Sequence, residues 1–173
     1  MTGHPPREIA VLGGGLAGLS LVLQLLDRGV TARITIVEPR ATYTDDRTWC
    51  FWDIDDHPFR HLIADRWTTW HVDDRSRRHT CGGGAYAYAR LSSGDVYAHA
   101  LERIAQAPNV SLWRGTRVRH LDGRRVHTDA GTLEADLVYD GRPPSLPETS
   151  SGPRLLQQFV GRRIRTDADA FDT

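Results

Sequence analysis

An α/β fold built on a parallel sheet is the class this sequence predicts, and three observations near its start predict it. The apolar run Ile9-Ala-Val-Leu12, with Glu8 before it, leads straight into Gly13-Gly14-Gly15-Leu16-Ala17-Gly18. A leucine-rich segment, Leu19 to Leu26, follows at once. A second apolar run, Ile34-Thr-Ile-Val37, then ends on an acid, Glu38, twenty positions after Gly18. Strand, glycine turn, helix, strand and acid make a βαβ unit with G-x-G-x-x-G spacing, the opening of a Rossmann-like dinucleotide site.

Each part of that unit has a physical reason. Gly13 lets the chain reverse off the strand, Gly15 has no Cβ to hold a pyrophosphate away from the backbone, and Gly18 lets the helix lie close to the strand. Gly14, Leu16 and Ala17 complete the turn, where unpaired N–H groups and the positive end of the helix dipole favour an anion without any basic side chain. Glu38 closes the site. A carboxylate at the end of the second strand accepts hydrogen bonds from ribose hydroxyls and repels a 2′-phosphate, which predicts an unphosphorylated adenosine ribose.

Composition sets limits. The 173 residues suffice for one well-packed domain but are few for an enzyme holding both a dinucleotide and a large substrate. With 22 basic and 22 acidic residues, no field is offered to attract nucleic acid or anionic lipid strongly. Cys50 and Cys81 have no metal-like spacing and are too few for a disulfide framework, so a reducing, cytoplasmic setting is expected. The first residues carry no secretory signal, and no run reaches the roughly 18 to 20 apolar residues that span a bilayer.

Arg40 to Asp56 mixes Trp49, Phe51 and Trp52 with Asp45, Asp46, Arg47 and Asp53. Such a mixture suits either a cleft wall with one polar side or a surface loop whose tryptophans dock on the core. His57 to Asp74 offers a short helix around Phe59 to Ala64 and a strand over Trp67 to Val72; His57 and His61 lack a third ligand and are expected to be solvated, so no metal site is expected. Arg75 to Arg78 reads as a turn and Cys81 to Gly84 as a bend. Ala85 to Arg90 alternates like a strand, and Ser92 or Ser93 caps a helix through Ala107, with Val96, Ala100, Leu101 and Ile104 on one face.

From Val110 the period changes to two. Val110–Trp113, Thr116–Leu121, Arg125–Thr128 and Thr132–Tyr139 are separated by hairpin signals at Asp122-Gly123 and Asp129-Ala-Gly131, a β-meander. Its last strand empties into Asp140-Gly141, which suits either cofactor contact at the C-terminal edge of the sheet or an ordinary turn. Ser145 to Pro153 reads as a loop and Leu155 to Gly161 as a further strand. A strand so late, with polar residues after it, suggests a molecule that continues.

The order of events resembles the glutathione-reductase-like flavoprotein fold, and more narrowly the bacterial lycopene β-cyclases. Four stretches carry the narrower resemblance: Arg47-Thr-Trp-Cys-Phe-Trp-Asp53; Tyr88-Ala-Arg-Leu-Ser-Ser93; Val138-Tyr-Asp-Gly-Arg142; and Gln157-Gln-Phe-Val-Gly161 with Arg165-Thr-Asp167 and Phe171-Asp172. The resemblance implies a Rossmann-like FAD-binding domain over 1–173, the N-terminal portion of a larger cyclase-type flavoprotein, with part of its substrate-side region within 43–90 and 153–173. It implies FAD as cofactor, NAD(P)H as reductant, and Arg47, Val118, Asp140 and Gly141 beside the glycine loop and Glu38 as cofactor-binding residues. It makes the aromatic segment a cleft wall.

The resemblance further implies an isomerase that protonates a polyene, lycopene, and closes its ends to β-ionone rings. Reduced FAD would stabilise positive charge, with Trp49 or Trp52 adding cation–π attraction. An apolar substrate implies peripheral membrane contact. Relatives continue into a segment bearing the glutamate acid and a second flavin-contacting motif, which these 173 residues lack; a C-terminal half or partner chain would supply them. The catalytic acid is therefore not assigned, Asp53 being a candidate only by its position beside aromatics. The rival readings are an FAD-dependent monooxygenase of the same fold and a non-catalytic nucleotide-binding remnant.

Overall fold

The computed structural model describes residues 7–73, 76–143 and 167. All the elements below lie in one compact unit, residues 1–143; a second unit spans 144–173. The strand expected at Leu155 to Gly161, the loop before it and the stretches near Arg165 and Phe171 lie outside the described residues, Asp167 excepted.

The opening βαβ unit forms as the sequence predicts. Strand β1 (Glu8–Leu12) is followed by helix α1 (Leu16–Asp27) and strand β2 (Arg33–Glu38). Ala10, Val11 and Leu12 of β1 and Ile34, Ile36 and Val37 of β2 are almost wholly buried, because both faces of the sheet are covered.

The next segment departs from the sheet. Strand β3 (Thr48–Asp53) leads through a single 3-10 turn, Arg60–Leu62, to β4 (Asp65–Trp67), β5 (Thr69–Asp73), β6 (Arg78–Gly82) and β7 (Ala87–Ser92). Strands β3, β7 and β4 form one antiparallel sheet, and β5 and β6 a separate hairpin. The aromatic stretch is thus a strand that places Trp49, Phe51 and Asp53 inward and Cys50 and Trp52 outward, which the charges around it obscured. Trp67 to Val72 is two strands broken at Thr68, since its halves pair with different partners.

Helix α2 (Ser93–Ala105) returns to the parallel sheet, burying Val96, Tyr97, Ala100 and Ile104. Leu101 is only half-buried, and Tyr97 takes the place expected for it. Its N-terminus is capped from a distance, because Ser92 makes no side-chain cap. Asp45 Oδ1 accepts from the Gly94 N–H at 3.1 Å and from the hydroxyls of Ser92 and Ser93 at 2.8 and 3.2 Å.

The remaining strands are β8 (Val110–Arg114), β9 (Val118–Asp122), β10 (Arg125–Thr128), β11 (Gly131–Glu134) and β12 (Leu137–Asp140). Only β9, β10 and β11 make the antiparallel meander. The expected run Thr132–Tyr139 divides at Ala135-Asp136: β12 joins the parallel sheet beside β1, and β8 joins it beside β2, giving the order β12-β1-β2-β8. Edge strands keep one face half-exposed, so β8 and β12 alternate in sequence like hairpin strands. The helices cover one face of this sheet, with Leu19, Val22, Leu23, Val96 and Tyr97 against Ile9, Val11, Ile34 and Ile36. The meander covers the other, with Val126 and Leu133 against Ala10, Leu12 and Val37.

Candidate functional site

The C-terminal ends of β1, β2 and β12 gather Gly13, Glu38 and Asp140 at one edge. The register pairs Leu12 with Val37 on one side and with Asp140 on the other. Backbone bonds close the edge: the Gly13 N–H donates to Val37 O, and the Gly141 N–H to Leu12 O, each at 2.9 Å.

The glycines of the loop differ in what surrounds them. Gly13 has φ +100°, a left-handed conformation that favours glycine. A Cβ on Gly18 would overlap the Gly13 carbonyl oxygen, so helix and strand approach there as closely as backbones can. A Cβ on Gly14 would overlap the Tyr43 hydroxyl. Gly15 is the exception, with nothing within 4 Å of where its Cβ would be. That open space lies at the start of α1, which has no side-chain cap and no acid in its first turn. The N–H groups of Leu16, Ala17 and Gly18 have no partner within the helix, because no preceding turn exists to accept them.

A cleft of about 310 Å³ opens over this point, lined by Gly13, Gly15, Leu16, Glu38, Arg47 and Gly141 among the residues singled out from sequence, and also by Arg40, Trp49, Tyr97 and Arg142. Gly14 lies buried beneath it, its N–H donating to Glu38 Oε2 at 2.7 Å and its carbonyl accepting from the Tyr43 hydroxyl at 3.0 Å. Ala17 is exposed on the first turn of α1. Asp140 stands just outside the cleft, gripping the Arg142 guanidinium at 2.8 and 2.7 Å; those bonds hold its carboxyl below the usual range. Val118 lies apart from the cleft, in a neighbouring depression with Val37, Thr116 and Arg119. Arg47 is placed by its own N–H, which donates to Ser93 Oγ at 2.9 Å, so the Asp45 cap and Arg47 share one anchorage on α2.

Glu38 is 3 % exposed. Burial pushes its carboxyl up, but hydrogen bonds from the Arg40 side chain and backbone and from Gly14 outweigh this and hold it below the usual range. Arg40 packs 4.7 Å from the Tyr43 ring centre and 5.1 Å from that of Tyr97. Tyr43 is pushed up to about 12, by burial first and then by the Glu38 charge, and so stays a hydrogen-bond donor. Arg40, Tyr43 and Tyr97 were not foreseen, because no periodicity marks a loop arginine or ties it to a helix tyrosine far along the chain.

Over residues 8–173 the chain matches the family model described as lycopene cyclase protein. The chain belongs to that family. No curated protein matches it. Solved structures similar to this lycopene-cyclase-family chain include the tetrameric form of 2-methyl-3-hydroxypyridine-5-carboxylic acid oxygenase, at 18% identity and TM-score 0.60, covering 78% of this chain and 39% of that one. PqsL of Pseudomonas aeruginosa, described as a probable FAD-dependent monooxygenase, is 16% identical with TM-score 0.56, over 76% of this chain and 41% of that one. The p-nitrophenol 4-monooxygenase PnpA of Pseudomonas putida DLL-E4 is 16% identical with TM-score 0.54, over 76% and 40%. At such identities the likeness is one of fold. The chain spans about two fifths of the length of these structures.

The antiparallel sheet that holds the aromatic stretch shows its two faces plainly. Trp52, Tyr88 and Trp67 stand opposite one another across β3, β7 and β4 and share the outer face, with Trp52 and Trp67 each 43% exposed. The inward Asp53 carboxylate is engaged by Arg66 and lies 3.6 Å from Arg60 and 3.5 Å from His57. His57 is mostly buried against Phe51 and not solvated as expected, whereas His61 is exposed and meets the His99 ring edge-on at 4.6 Å. Among the described residues, no group of three or more His, Cys, Asp or Glu is placed to hold a metal, and no helix is long and apolar enough to cross a membrane.

Proposed function

We propose that this chain is the FAD-binding portion of a lycopene β-cyclase. The observation that carries the proposal is the open cleft over Gly15 at the uncapped start of α1, in a chain whose family membership runs from residue 8 to 173. The residues present fit a dinucleotide. A diphosphate placed over Gly15 meets backbone N–H groups and the positive helix end, with Arg47 and Arg142, each paired with a carboxylate, at the rim.

When bound and reduced with NAD(P)H, FAD would supply negative charge beside a cation developing on the polyene. The chain's own residues bind and orient. Trp49, inward on β3, lines the cleft, while Trp52 on the outward side belongs to the aromatic row with Tyr88 and Trp67. Asp53 does not serve as the acid, because Arg66 and Arg60 engage its carboxylate. A hydrocarbon substrate partitions into lipid, so contact with a membrane surface through the exposed row of Trp52 and Trp67 is part of the same proposal.

The fold likeness to PqsL and PnpA keeps a monooxygenase as the second reading. Combining the chain with a separately expressed C-terminal half and supplying reduced FAD and lycopene without oxygen separates the two. β-Carotene formed with no net consumption of reductant supports the cyclase. Product that appears only with oxygen and with stoichiometric NADPH oxidation overturns it, and no product at all with FAD bound favours a non-catalytic remnant.

A further inference from the structure

Both helices contribute to the cleft wall, α1 through Leu16 and α2 through Tyr97, yet their N-termini are finished differently. That of α1 has no side-chain cap and no acid in its first turn, and the space at Gly15 stays open. That of α2 is filled by a carboxylate from the loop after β2. Asp45 Oδ1 accepts from the Gly94 N–H at 3.1 Å and from the Ser92 and Ser93 hydroxyls at 2.8 and 3.2 Å. It thereby satisfies an unpaired N–H of the first turn and sits at the positive end of the helix dipole. Gly94 leaves room for it, since a Cβ there would stand 3.2 Å from Asp45 Cβ.

The same junction holds Arg47. Its N–H donates to Ser93 Oγ at 2.9 Å, and the N–H of the fully buried Ser93 donates to Arg47 O at 3.0 Å. A hydroxyl has one proton to give. Ser93 Oγ directs it to Asp45 at 3.2 Å, with Thr44 O farther away at 3.4 Å, and so keeps a lone pair for Arg47. The Arg47 side chain is 60% exposed and lies 3.5 Å from Asp46, a pairing too loose to fix its place. Two residues on, Trp49 lines the same cleft and meets Tyr97 edge-on at 5.6 Å. The backbone of residues 45–49 therefore decides where this wall of the cleft stands.

We infer that Asp45 is a positioning residue for the cofactor cleft: its carboxylate, seated on the N-terminus of α2, holds the wall that carries Arg47 and Trp49 in place against Tyr97. This rests on the dinucleotide reading of the cleft. Asp45 is not among the residues lining the cleft, and an acid near a diphosphate opposes binding through its charge. Loss of its charge and loss of its grip therefore act on cofactor affinity in opposite directions.

Fluorescence titration of the whole chain with FAD tests it. Asp45→Ala should weaken binding about fivefold or more, the loss of a helix cap expressed in the cleft. Asp45→Asn, whose amide oxygen still caps, should stay within about twofold of wild type. Asp129→Ala is the control for general loss of stability, because Asp129 Oδ1 accepts from the Arg117 N–H at 2.8 Å and does not line the cleft. It should lower the melting temperature about as much as Asp45→Ala and leave FAD affinity unchanged. Unchanged or tighter binding in Asp45→Ala overturns the inference, as does equal weakening in Asp45→Asn or in Asp129→Ala, and each of these leaves the dinucleotide site intact. Absence of FAD binding by the wild type overturns both.

Discussion

The glycine loop on β1 and the antiparallel sheet of β3, β7 and β4 both border clefts that Leu16 of α1 lines, and they are built in opposite ways. At the loop the groups facing the cleft are mainly backbone: N–H donors at the start of α1, an open Gly15, and a Gly18 pressed against Gly13. In the antiparallel sheet the working groups are side chains. A buried carboxylate meets Arg66, Arg60 and His57 on one face, and an aromatic row with the Arg90–Asp65 ion pair stands on the other. The first should be sensitive to added atoms and the second to removed charge.

The largest expected effect is at Gly18. Gly18→Ala places a methyl where the Gly13 carbonyl stands, with Val11 Cγ1 3.2 Å away, so the nearest obstacle is backbone and not the end of a flexible side chain. It should destabilise the chain by about 3 kcal/mol, read as a fall in urea midpoint at constant slope. An unchanged midpoint would mean that the loop yields easily. On the side-chain region, Asp53→Ala leaves Arg66, half-exposed, and His57 without their carboxylate. Water relieves part of that loss, so about 2 kcal/mol is expected in the same measurement.

A smaller effect tests the buried carboxylate beside the glycine loop, Glu38. Glu38 has a folded value below its ordinary 4.5, so its contribution to stability is complete above that value and is lost as pH falls through the lower, folded one. Stability measured from pH 7 downward should fall in that acid window, and Glu38→Gln should remove part of the slope. A slope that survives Glu38→Gln unchanged would assign it to other carboxylates. The smallest effect is expected at Arg78, fully exposed, whose pair with Asp73 at 2.9 Å ties the β5–β6 hairpin. Arg78→Ala should leave the melting temperature unchanged within error, because solvent screens such a pair.

This contrast also explains how much the sequence revealed. The βαβ unit was legible because a strand covered on both faces must be continuously apolar, and a turn without Cβ atoms must be glycine. Gly13, Gly15, Leu16 and Glu38 accordingly meet at one cleft, where Arg47 and Gly141, which the family resemblance added, join them. β8 was taken into the meander because an edge strand alternates like a hairpin strand, and the run Thr132–Tyr139 was read as one strand although it divides between β11 and β12. The Asp45 cap on α2 and the Arg40 brace on Glu38 join residues far apart or in loops, and loops carry no period to read.

Titration of the chain with FAD, followed by flavin fluorescence in wild type and in Gly15→Val, tests the central claim most directly. Gly15 has open space around it, so the added side chain should leave the melting temperature close to wild type while filling the place of a diphosphate. Saturable one-to-one binding is expected, weakening at least about tenfold in the variant. Equal affinity in both proteins, or no binding by the wild type, would contradict it.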